Sequence, residues 1–323
     1  MWKTVLRRLL ITIPQLFLIT LFVFLLADSM PGDALGGMIN PDLPFEEMQR
    51  MREDMGLNRP WPERYFEWLG GIVRGDFGSS FRHARPVMDV IGERLQVTAV
   101  LAFFTLVLTY LIAIPLGITA GRRSGTVIDK AVLVYAFTAL AFPTIVLAIL
   151  MVYWFSPIGL GWIPLGGMVD PMVYSTGTGF QIFMSRVHHL IGPAVTGALV
   201  GTIGIVFMLR ANIIERKSAD YVTFGRSKGV PTNIIFNKHI LRNSLVPVTA
   251  SIGLVIVTMF IGSVFIERIF QINGMGRLFV DSIQERDFPV ANAIILILSA
   301  ATALGVLISD IILTIVDPRI RIQ

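Results

Sequence analysis

Long uncharged runs alternate with short charged segments along most of this chain. Six runs contain no Asp, Glu, Lys or Arg: 9–27, 95–121, 131–169, 187–209, 243–266 and 288–309. A helix of roughly 20 residues crosses the hydrocarbon core of a bilayer. Each run therefore predicts a membrane-spanning helix, and the third ends near Ser156, where prolines and glycines favour turns. The predicted spans are 9–27, 98–120, 131–155, 190–209, 245–266 and 289–312.

The composition supports this interpretation. Hydrophobic residues make up 54% of the 323 residues and charged residues only 15%, whereas soluble domains carry about 25% charged residues. The chain contains no cysteine, which excludes disulfides and thiolate metal sites. We predict an all-α integral membrane protein with six transmembrane helices.

Basic residues gather on one side of the predicted membrane. They occupy the N-terminus, the loop 122–130, the loop 210–242 and the C-terminal tail, and these segments contain all five lysines. The segment 28–94 has 8 Arg against 12 acidic residues and is long enough to be exported regardless of charge. Because basic loops prefer the cytoplasm, we predict that both termini are cytoplasmic. The basic loops then face the anionic lipids of the cytoplasmic leaflet. This location explains the net charge of +5, so nucleic-acid binding is not needed to explain it.

This pattern divides the chain into three parts. Residues 1–27 form the N-terminus and the first transmembrane helix, and residues 28–94 form an extracytoplasmic segment. Residues 95–323 form a five-helix core with a cytoplasmic loop, 210–244, between spans four and five. In the outer segment, apolar positions at helical spacing predict a small helical lid: Phe45, Met48, Met51 and Met55.

The cytoplasmic loop contains a basic, half-polar stretch at 219–248, with the sequence ADYVTFGRSKGVPTNIIFNKHILRNSLVPV. Ser218 or Asp220 can cap a first short helix at its N-terminus. Gly229 can supply the end of this helix, since glycine adopts the left-handed conformation that helix ends require.

A second short helix is predicted directly after the first. Pro231 blocks continuation of the first helix, and Thr232 can cap a second helix over 233–241 that leads into span five. Three interpretations remain for the two helices: an amphipathic loop on anionic lipid, a docking helix for a cytosolic partner, or a DNA-binding helix-turn-helix. Attachment to the bilayer at both ends disfavours entry into a DNA groove.

The sequence also lacks the motifs of an energy-converting or hydrolytic enzyme. Neither the phosphate-binding motif GxxxxGK[ST] nor the metalloprotease motif HExxH occurs. The predicted spans do not contain the chains of buried charges that ion-coupled transporters use. The chain is therefore predicted to move a solute with energy taken from a partner.

A few isolated residues in the spans invite a functional interpretation. Asp310 lies near the cytoplasmic end of span six, where pairing with basic residues is favoured over a role as a proton relay. His188 and His189 point to different helix faces, so we expect them to cap the start of span four rather than share a metal. Gly197 and Gly201 form a small-xxx-small pair, which predicts close approach of a neighbouring helix.

The stretch DYVTFGRSKGV…KHILRNSLVP resembles the cytoplasmic loop of permease subunits of ABC importers of the dipeptide/oligopeptide type. Further segments are similar in the same order, so that the resemblance covers nearly the whole chain: LRRLLITIPQLFLITLFVFLLADSMPGD, WLGGIVRGDFGSSF…RPVMDVIGERLQVT, AFPTIVLAI, GLGWIPLGG, IERIFQINGMGRLFVDSIQERDFPV and DPRIR. The stricter importer pattern, E-A-A-x3-G-x9-I-x-L-P, is not kept. Gly229 follows Asp220 by nine residues, and Arg242 stands where that pattern has proline.

The resemblance implies a coupling helix that fits a groove on a cytosolic ATPase subunit. The implied coupling residues are Asp220, Tyr221, Val222, Phe224, Arg226, Lys228 and Gly229. An outer-loop turn is implied at Glu267, Phe270, Gly274 and Gly276. Pro143, within span three, either lines the pathway or forms a packed kink.

The resemblance further implies a non-enzymatic permease subunit of the cytoplasmic membrane that works by alternating access. The implied partners are a second homologous permease, two ATPase subunits, an extracytoplasmic substrate-binding protein and a peptide substrate. ATP and Mg are expected in the ATPase subunits, and no cofactor in this chain. Alternatives are a permease of the same family for nickel or glutathione, and an energy-independent channel or secondary transporter. A membrane enzyme is disfavoured, because no catalytic constellation is present.

Overall fold

Helices account for all regular secondary structure in the part of the chain that the structure describes. The structure is a computed structural model, and it describes residues 2–29, 45–54, 56 and 58–316. No β-strand occurs in these residues, where one isolated bridge joins Ser79 to Pro86. The predicted all-α class is confirmed.

Fourteen α-helices are described, with a π-helix at Ile235–Leu241 between the tenth and the eleventh. The α-helices are α1 (Trp2–Ser29), α2 (Phe45–Asp54), α3 (Trp61–Val73), α4 (Val87–Arg122), α5 (Val127–Ala141), α6 (Thr144–Phe155), α7 (Pro171–Thr176), α8 (Gly179–Lys217), α9 (Asp220–Ser227), α10 (Thr232–Ile234), α11 (Arg242–Ala250), α12 (Ile252–Ile269), α13 (Met275–Gln284) and α14 (Phe288–Val316).

The chain forms two compact units that are interleaved along the sequence. The first unit takes in Trp2–Thr98 and Asn273–Ala303, and the second takes in Ala99–Ile272 and the chain from Leu304. The helices α4 and α14 therefore each contribute to both units. The predicted division into 1–27, 28–94 and 95–323 stays a prediction.

In the first unit, α3 packs against α1 through aromatic side chains. Tyr65 is 1% exposed, and its hydroxyl lies 3.0 Å from Thr20 Oγ1. The ring of Tyr65 meets Phe17 and Phe24 edge-on, with centroids 6.0 and 5.4 Å apart. The predicted outer segment thus contains α2, α3 and the start of α4, with turns and one isolated bridge between α3 and α4. Its position as a lid stays a prediction, and Met55 lies outside the described residues.

The helix of span two begins at Val87, earlier than the predicted residue 98. The reason is an apolar face at helical spacing, since Val87, Val90 and Ile91 are all buried. This face packs in a cluster with residues of α13 and α14: Met275, Leu278, Val290, Ala293 and Ile294. The first unit therefore has its own hydrophobic core. Because the first turns of α4 pack into this core, the helix begins before the predicted span.

A buried carboxylate joins two loops of the first unit. Asp287 is 1% exposed and accepts hydrogen bonds from Ser80 Oγ at 2.5 Å and from the amide of Phe81 at 3.0 Å. A buried charge is tolerated when hydrogen bonds satisfy it, and these donors do so. The connection before α4 is thereby fixed to the connection between α13 and α14.

In the second unit, α8 contacts α5, α6, α11 and α12. This helix has 39 residues and is longer than the predicted span 190–209. It begins at Gly179, because Thr178 and Gln181 form a capping box there. The predicted close approach at Gly197 is confirmed, since a Cβ atom built at this glycine would lie only 2.7 Å from Thr105 Cγ2 of α4.

The predicted third span, 131–155, is not one helix. α5 ends at Ala141 and α6 begins at Thr144, and the two axes differ by 101°. Pro143 lies in the break, where it has no N–H to donate and adopts an extended ψ of 142°. A packed kink is therefore wrong for this proline, which separates two helices.

Three helices are each long and apolar enough to cross a membrane: α4, α8 and Phe288–Ile315 of α14. Two bent pairs raise the number among the described residues to as many as five. These pairs are α5 with α6, and Thr232–Ala250 with Ile252–Thr258, which are bent by 43°. The apolar stretch of α1, Leu10–Leu26, is shorter, so the count of six stays a prediction.

Candidate coupling surface

The predicted first helix of the basic loop is present as α9. It follows α8 after two residues and runs from Asp220 to Ser227. The predicted side-chain cap is wrong, because Ala219 is the N-cap residue and no side chain bonds to the first turn. Ser218 instead donates its hydroxyl to Glu215 O at 2.9 Å, which ties it to the end of α8.

The predicted end of α9 at Gly229 is confirmed. Gly229 has φ of +72°, the left-handed region that costs other residues strain. Its amide donates to Arg226 O at 2.9 Å, and the amide of Val230 donates to Gly225 O at 3.1 Å. These two bonds are the Schellman motif, so the turn after α9 has a fixed geometry.

The two faces of α9 are sharply different. Val222 is 1% exposed and belongs to the same apolar cluster as Ile235. A Cβ atom at Gly225 would lie 3.2 Å from Ile235 Cδ1, so this glycine lets α9 approach closely. Val222 therefore anchors the helix and is not available to a partner.

Exposed positions of α9 and its C-cap residue carry five of the other predicted coupling residues. Phe224 is 61% exposed and Tyr221 is 36% exposed. Lys228 Nζ lies 4.4 Å from the centre of the Phe224 ring, which places a cation on an exposed aromatic ring. We call these exposed residues the coupling surface: Asp220, Tyr221, Phe224, Arg226 and Lys228.

The predicted second helix is present but differs in form. Its N-cap residue is Pro231, whose carbonyl accepts from Ile234 and Ile235, so the predicted capping by Thr232 is wrong. After α10 the chain continues without interruption through the π-helix into α11. In a π-helix, hydrogen bonds join residues five positions apart. Ile235 and Ile240 have this spacing, and both side chains are buried.

Arg122, at the end of α4, contacts α10 and the π-helix, which follow α9. Its Nη2 donates to Asn233 Oδ1 at 2.6 Å, and its guanidinium lies 4.8 Å from the centre of the Phe236 ring. Lys217, at the end of α8, donates to Arg122 O at 2.8 Å. The end of α4 is thus bound to the segment that follows α9, and the end of α8 is bound to the end of α4. The sequence predicted only the cytoplasmic location of these cations and not these contacts.

An ion pair then connects α8 to α5. Arg210 donates from Nε to Asp129 Oδ1 at 2.6 Å and from Nη2 to Asp129 Oδ2 at 2.9 Å. The same carboxylate accepts the amide of Gly125 at 2.8 Å. Asp129 was missed because the sequence offers no signal for a partner 81 positions away.

The predicted outer-loop residues lie in the connection between α12 and α13. Glu267 and Phe270 are 0% and 2% exposed at the end of α12, and Phe270 O accepts the amide of Gly167 at 3.0 Å. Gly274 is the N-cap residue of α13, and Gly276 is buried in its first turn. A role for these residues as an outer-loop turn stays a prediction.

The two adjacent histidines do not cap a helix start, because α8 begins nine residues before His188, at Gly179, with Thr178 as its cap. His188 Nε2 lies 2.9 Å from Trp162 O, and His189 Nδ1 lies 2.7 Å from Ser185 O. Each ring therefore binds a separate carbonyl. No cluster of three potential metal ligands occurs among the described residues. Asp310 is half-buried in α14, and its role stays a prediction.

Comparison with known families defines the class of the protein. Residues 113–322 match the family described as binding-protein-dependent transport system inner membrane component. Residues 1–102 match the N-terminal family of such membrane components. The chain therefore belongs to this family and is a multi-pass membrane protein. The two matches confirm the resemblance to ABC importer permeases.

Individual relatives match over nearly their whole length. The oligopeptide transport system permease protein AppB of Bacillus subtilis (strain 168) is 38% identical over 98% of both chains. A putative peptide permease of Brucella suis biovar 1 (strain 1330) is 33% identical over 100% of both. The glutathione transport system permease protein GsiC of Escherichia coli (strain K12) is 32% identical over 99% of both.

A solved structure supports the fold. A chain of the MetNI methionine ABC transporter, in inward-facing conformations, superposes with a TM-score of 0.55. It is 16% identical and covers 71% of this chain and 97% of its own. At this identity, the likeness concerns the fold alone.

Proposed function

We propose that this chain is the permease subunit of an ATP-driven importer that carries di- and oligopeptides across the cytoplasmic membrane. The relatives named for peptide transport, at 38% and 33% identity over almost full length, support the substrate class. The chain has no phosphate-binding motif of its own, so ATP and Mg bind in partner subunits. It acts as a transport subunit and not as an enzyme.

The observation that carries this proposal is the construction of α9. Its buried side is anchored by Val222, while Phe224, with 61% of its surface exposed, faces outward beside Lys228. An exposed aromatic ring within a polar rim is typical of a docking helix that fits a groove on a partner. The coupling surface therefore docks onto a cytosolic ATPase subunit.

In the proposed topology, six spans place both termini and α9 in the cytoplasm. The positive charge of the loops containing Arg122 and α9 supports this orientation. The apolar stretch Leu10–Leu26 of α1 is then the first span, and the broken pair α5 and α6 is the third. Broken helices are tolerated at membrane depth where they line a cavity or are covered by protein.

The complete transporter contains a second homologous permease, two ATPase subunits and an extracytoplasmic substrate-binding protein. ATP closes the ATPase subunits, and α9 moves with the subunit that holds it. ATP can only drive the cycle if it favours one conformation of the permease over the other. The Schellman turn, the π-helix and α11 form a continuous connection from α9 to the fifth span.

A second candidate substrate is glutathione, which the 32% identical GsiC proteins favour. A nickel permease of the same family is a further alternative, and an energy-independent channel or secondary transporter is disfavoured by the anchored coupling surface. Peptide remains the first choice, because the oligopeptide relative has the higher identity.

Reconstitution tests the proposal. Proteoliposomes should contain the chain with its partner permease and ATPase subunits, and the binding protein should be added outside with labelled peptide. We expect uptake that requires ATP inside and stops when the ATPase subunits are omitted. Labelled glutathione and Ni²⁺ serve as competing substrates. Equal peptide uptake by vesicles that contain this chain alone would contradict the proposal.

A further inference from the structure

A cavity of about 460 Å³ lies in the second unit beside the break between α5 and α6. Its size falls in the range of small-ligand sites, about 300–1,000 Å³. Its walls come from α4, α6, α8 and α12, with Thr144 of α6 on one side and Thr105 of α4 on another. No residue described in this lining carries an ionisable side chain.

One wall of the cavity is bare backbone. Gly197, Gly201 and Gly204 of α8 all line it, and their spacing places them on one helix face. A Cβ atom built at Gly204 would meet no atom within 4 Å, so this position opens into free space. A larger side chain here would occupy the cavity without displacing the protein.

The start of α6 lies at the cavity, because Thr144 is part of the lining, and the start of a helix carries a partial positive charge. The N-cap residue is Pro143, which supplies no side-chain cap. Among the described residues, no acceptor bonds to the amides of Thr144 and Ile145. Free amides at the start of a 12-residue helix, together with the helix dipole, favour an anionic group.

Thr105 provides a second, independent indication of a ligand. It is 7% exposed and lines the cavity, yet its hydroxyl has no hydrogen-bond partner among the described residues. Two other hydroxyls of the lining are satisfied within their own segments: Ser251 donates to Val248 O and Thr258 donates to Val255 O, both at 2.9 Å. Because buried hydroxyls are normally bonded, the Thr105 hydroxyl is available to a bound molecule.

We propose that this cavity binds the carboxylate end of a short peptide, an inference that rests on the proposed function. The amides at the start of α6 and the Thr105 hydroxyl donate to the carboxylate, and the glycine face of α8 accommodates the peptide backbone. An ammonium group finds no counter-charge in the described lining. A broken helix that directs its amino end at an anionic substrate group is an arrangement that membrane transporters use.

The chain has no cysteine, so a single introduced thiol can report on the cavity. Gly204→Cys should be placed in the complete transporter and modified with a methanethiosulfonate reagent, with and without trialanine. At a concentration about ten times its Kd, trialanine should slow the reaction about tenfold. The matched control is Gly92→Cys in α4, which lies outside the lining and whose Cβ atom also meets nothing within 4 Å. Trialanine should not change its rate.

The carboxylate is tested with trialanine amide, which should protect Gly204→Cys less than trialanine does. Adding Thr105→Val should reduce this difference, and Thr105→Ser should keep it. Equal modification rates with and without trialanine overturn the proposal, and equal protection by acid and amide overturns the role of the carboxylate. ATP-dependent peptide uptake is measured in parallel in vesicles that contain the transporter without the cysteine substitution. Uptake without protection refutes the cavity site alone, whereas protection without ATP-dependent uptake refutes the proposed function alone.

Discussion

Asp129 and Arg210 form a two-bond ion pair that joins the first turn of α5 to α8, with distances of 2.6 and 2.9 Å. The Asp129 side chain is 2% exposed and that of Arg210 is 24% exposed. α5 leads to the break at Pro143, and the end of α8 leads to α9. The pair therefore joins the helix that precedes the break to the helix that precedes α9.

Arg210→Met should destabilise the protein, because it leaves the Asp129 carboxylate buried without its partner. We expect a loss of roughly 2 kcal/mol or more, below the range for a fully buried pair because Arg210 is partly exposed. The double variant Asp129→Leu/Arg210→Met should recover most of this loss, since it removes both charges. Thermal unfolding in detergent measures the three proteins.

The control for this prediction is the exposed pair Arg85 and Glu93, which also has a short contact of 2.7 Å but side chains that are 50% and 61% exposed. Arg85→Met should leave the unfolding temperature unchanged, because water replaces the lost partner. An equal loss in both pairs would show that burial does not decide the strength of the Asp129 interaction.

Gly229→Ala should weaken coupling between ATP hydrolysis and transport. Its φ of +72° costs any other residue about 1 kcal/mol, so the turn after α9 loses its fixed geometry. The ratio of peptide imported to ATP hydrolysed should fall. Gly75→Ala, at φ +84° in the first unit, introduces the same strain away from α9 and should leave that ratio unchanged.

Phe224→Ala should separate docking from folding. Phe224 is 61% exposed, so we expect a change in the free energy of unfolding within about 0.5 kcal/mol. Affinity for the ATPase subunit, measured by co-purification at graded concentrations, should fall about tenfold. Phe66→Ala, at 62% exposure in α3, is the matched control and should bind normally. If Phe224→Ala binds the ATPase subunit normally, the Phe224 ring does not belong to the docking interface.

Arg122→Lys tests the contact between the end of α4 and the segment that follows α9. A lysine keeps the charge but loses the planar guanidinium that bonds Asn233 and covers the Phe236 ring. Stimulation of the ATPase by binding protein and peptide should fall. The neighbouring exposed cation gives the control, since Arg123→Lys should retain full stimulation. If the two variants behave alike, Arg122 contributes only its charge.

Local signals in the sequence were sufficient for the short-range features of the fold. Gly229 and Pro231 lie within the turn that they determine, so the end of α9 was predicted from residue chemistry alone. Gly197 was predicted from a spacing of small residues, and its close contact with Thr105 follows from that spacing. The apolar runs likewise predicted the helical class.

Features that depend on distant partners could not be predicted. Asp129 meets Arg210, and Ser80 meets Asp287, across 81 and 207 positions, and neither pair has a local pattern. Pro143 indicated a kink, but its local sequence does not set the 101° angle between α5 and α6. The starts of α4 and α8 were missed because their first turns are helical through burial and capping, outside the uncharged runs.

The most direct test of the central claim, that a partner ATPase drives this chain through α9, is Asp220→Lys at the exposed start of that helix. Peptide uptake and ATP hydrolysis should be measured together in proteoliposomes that contain equal amounts of inserted chain. The account predicts that uptake per ATP hydrolysed falls about tenfold or more while insertion is unchanged. Uptake and coupling at the normal rate in both Asp220→Lys and Gly229→Pro would contradict it.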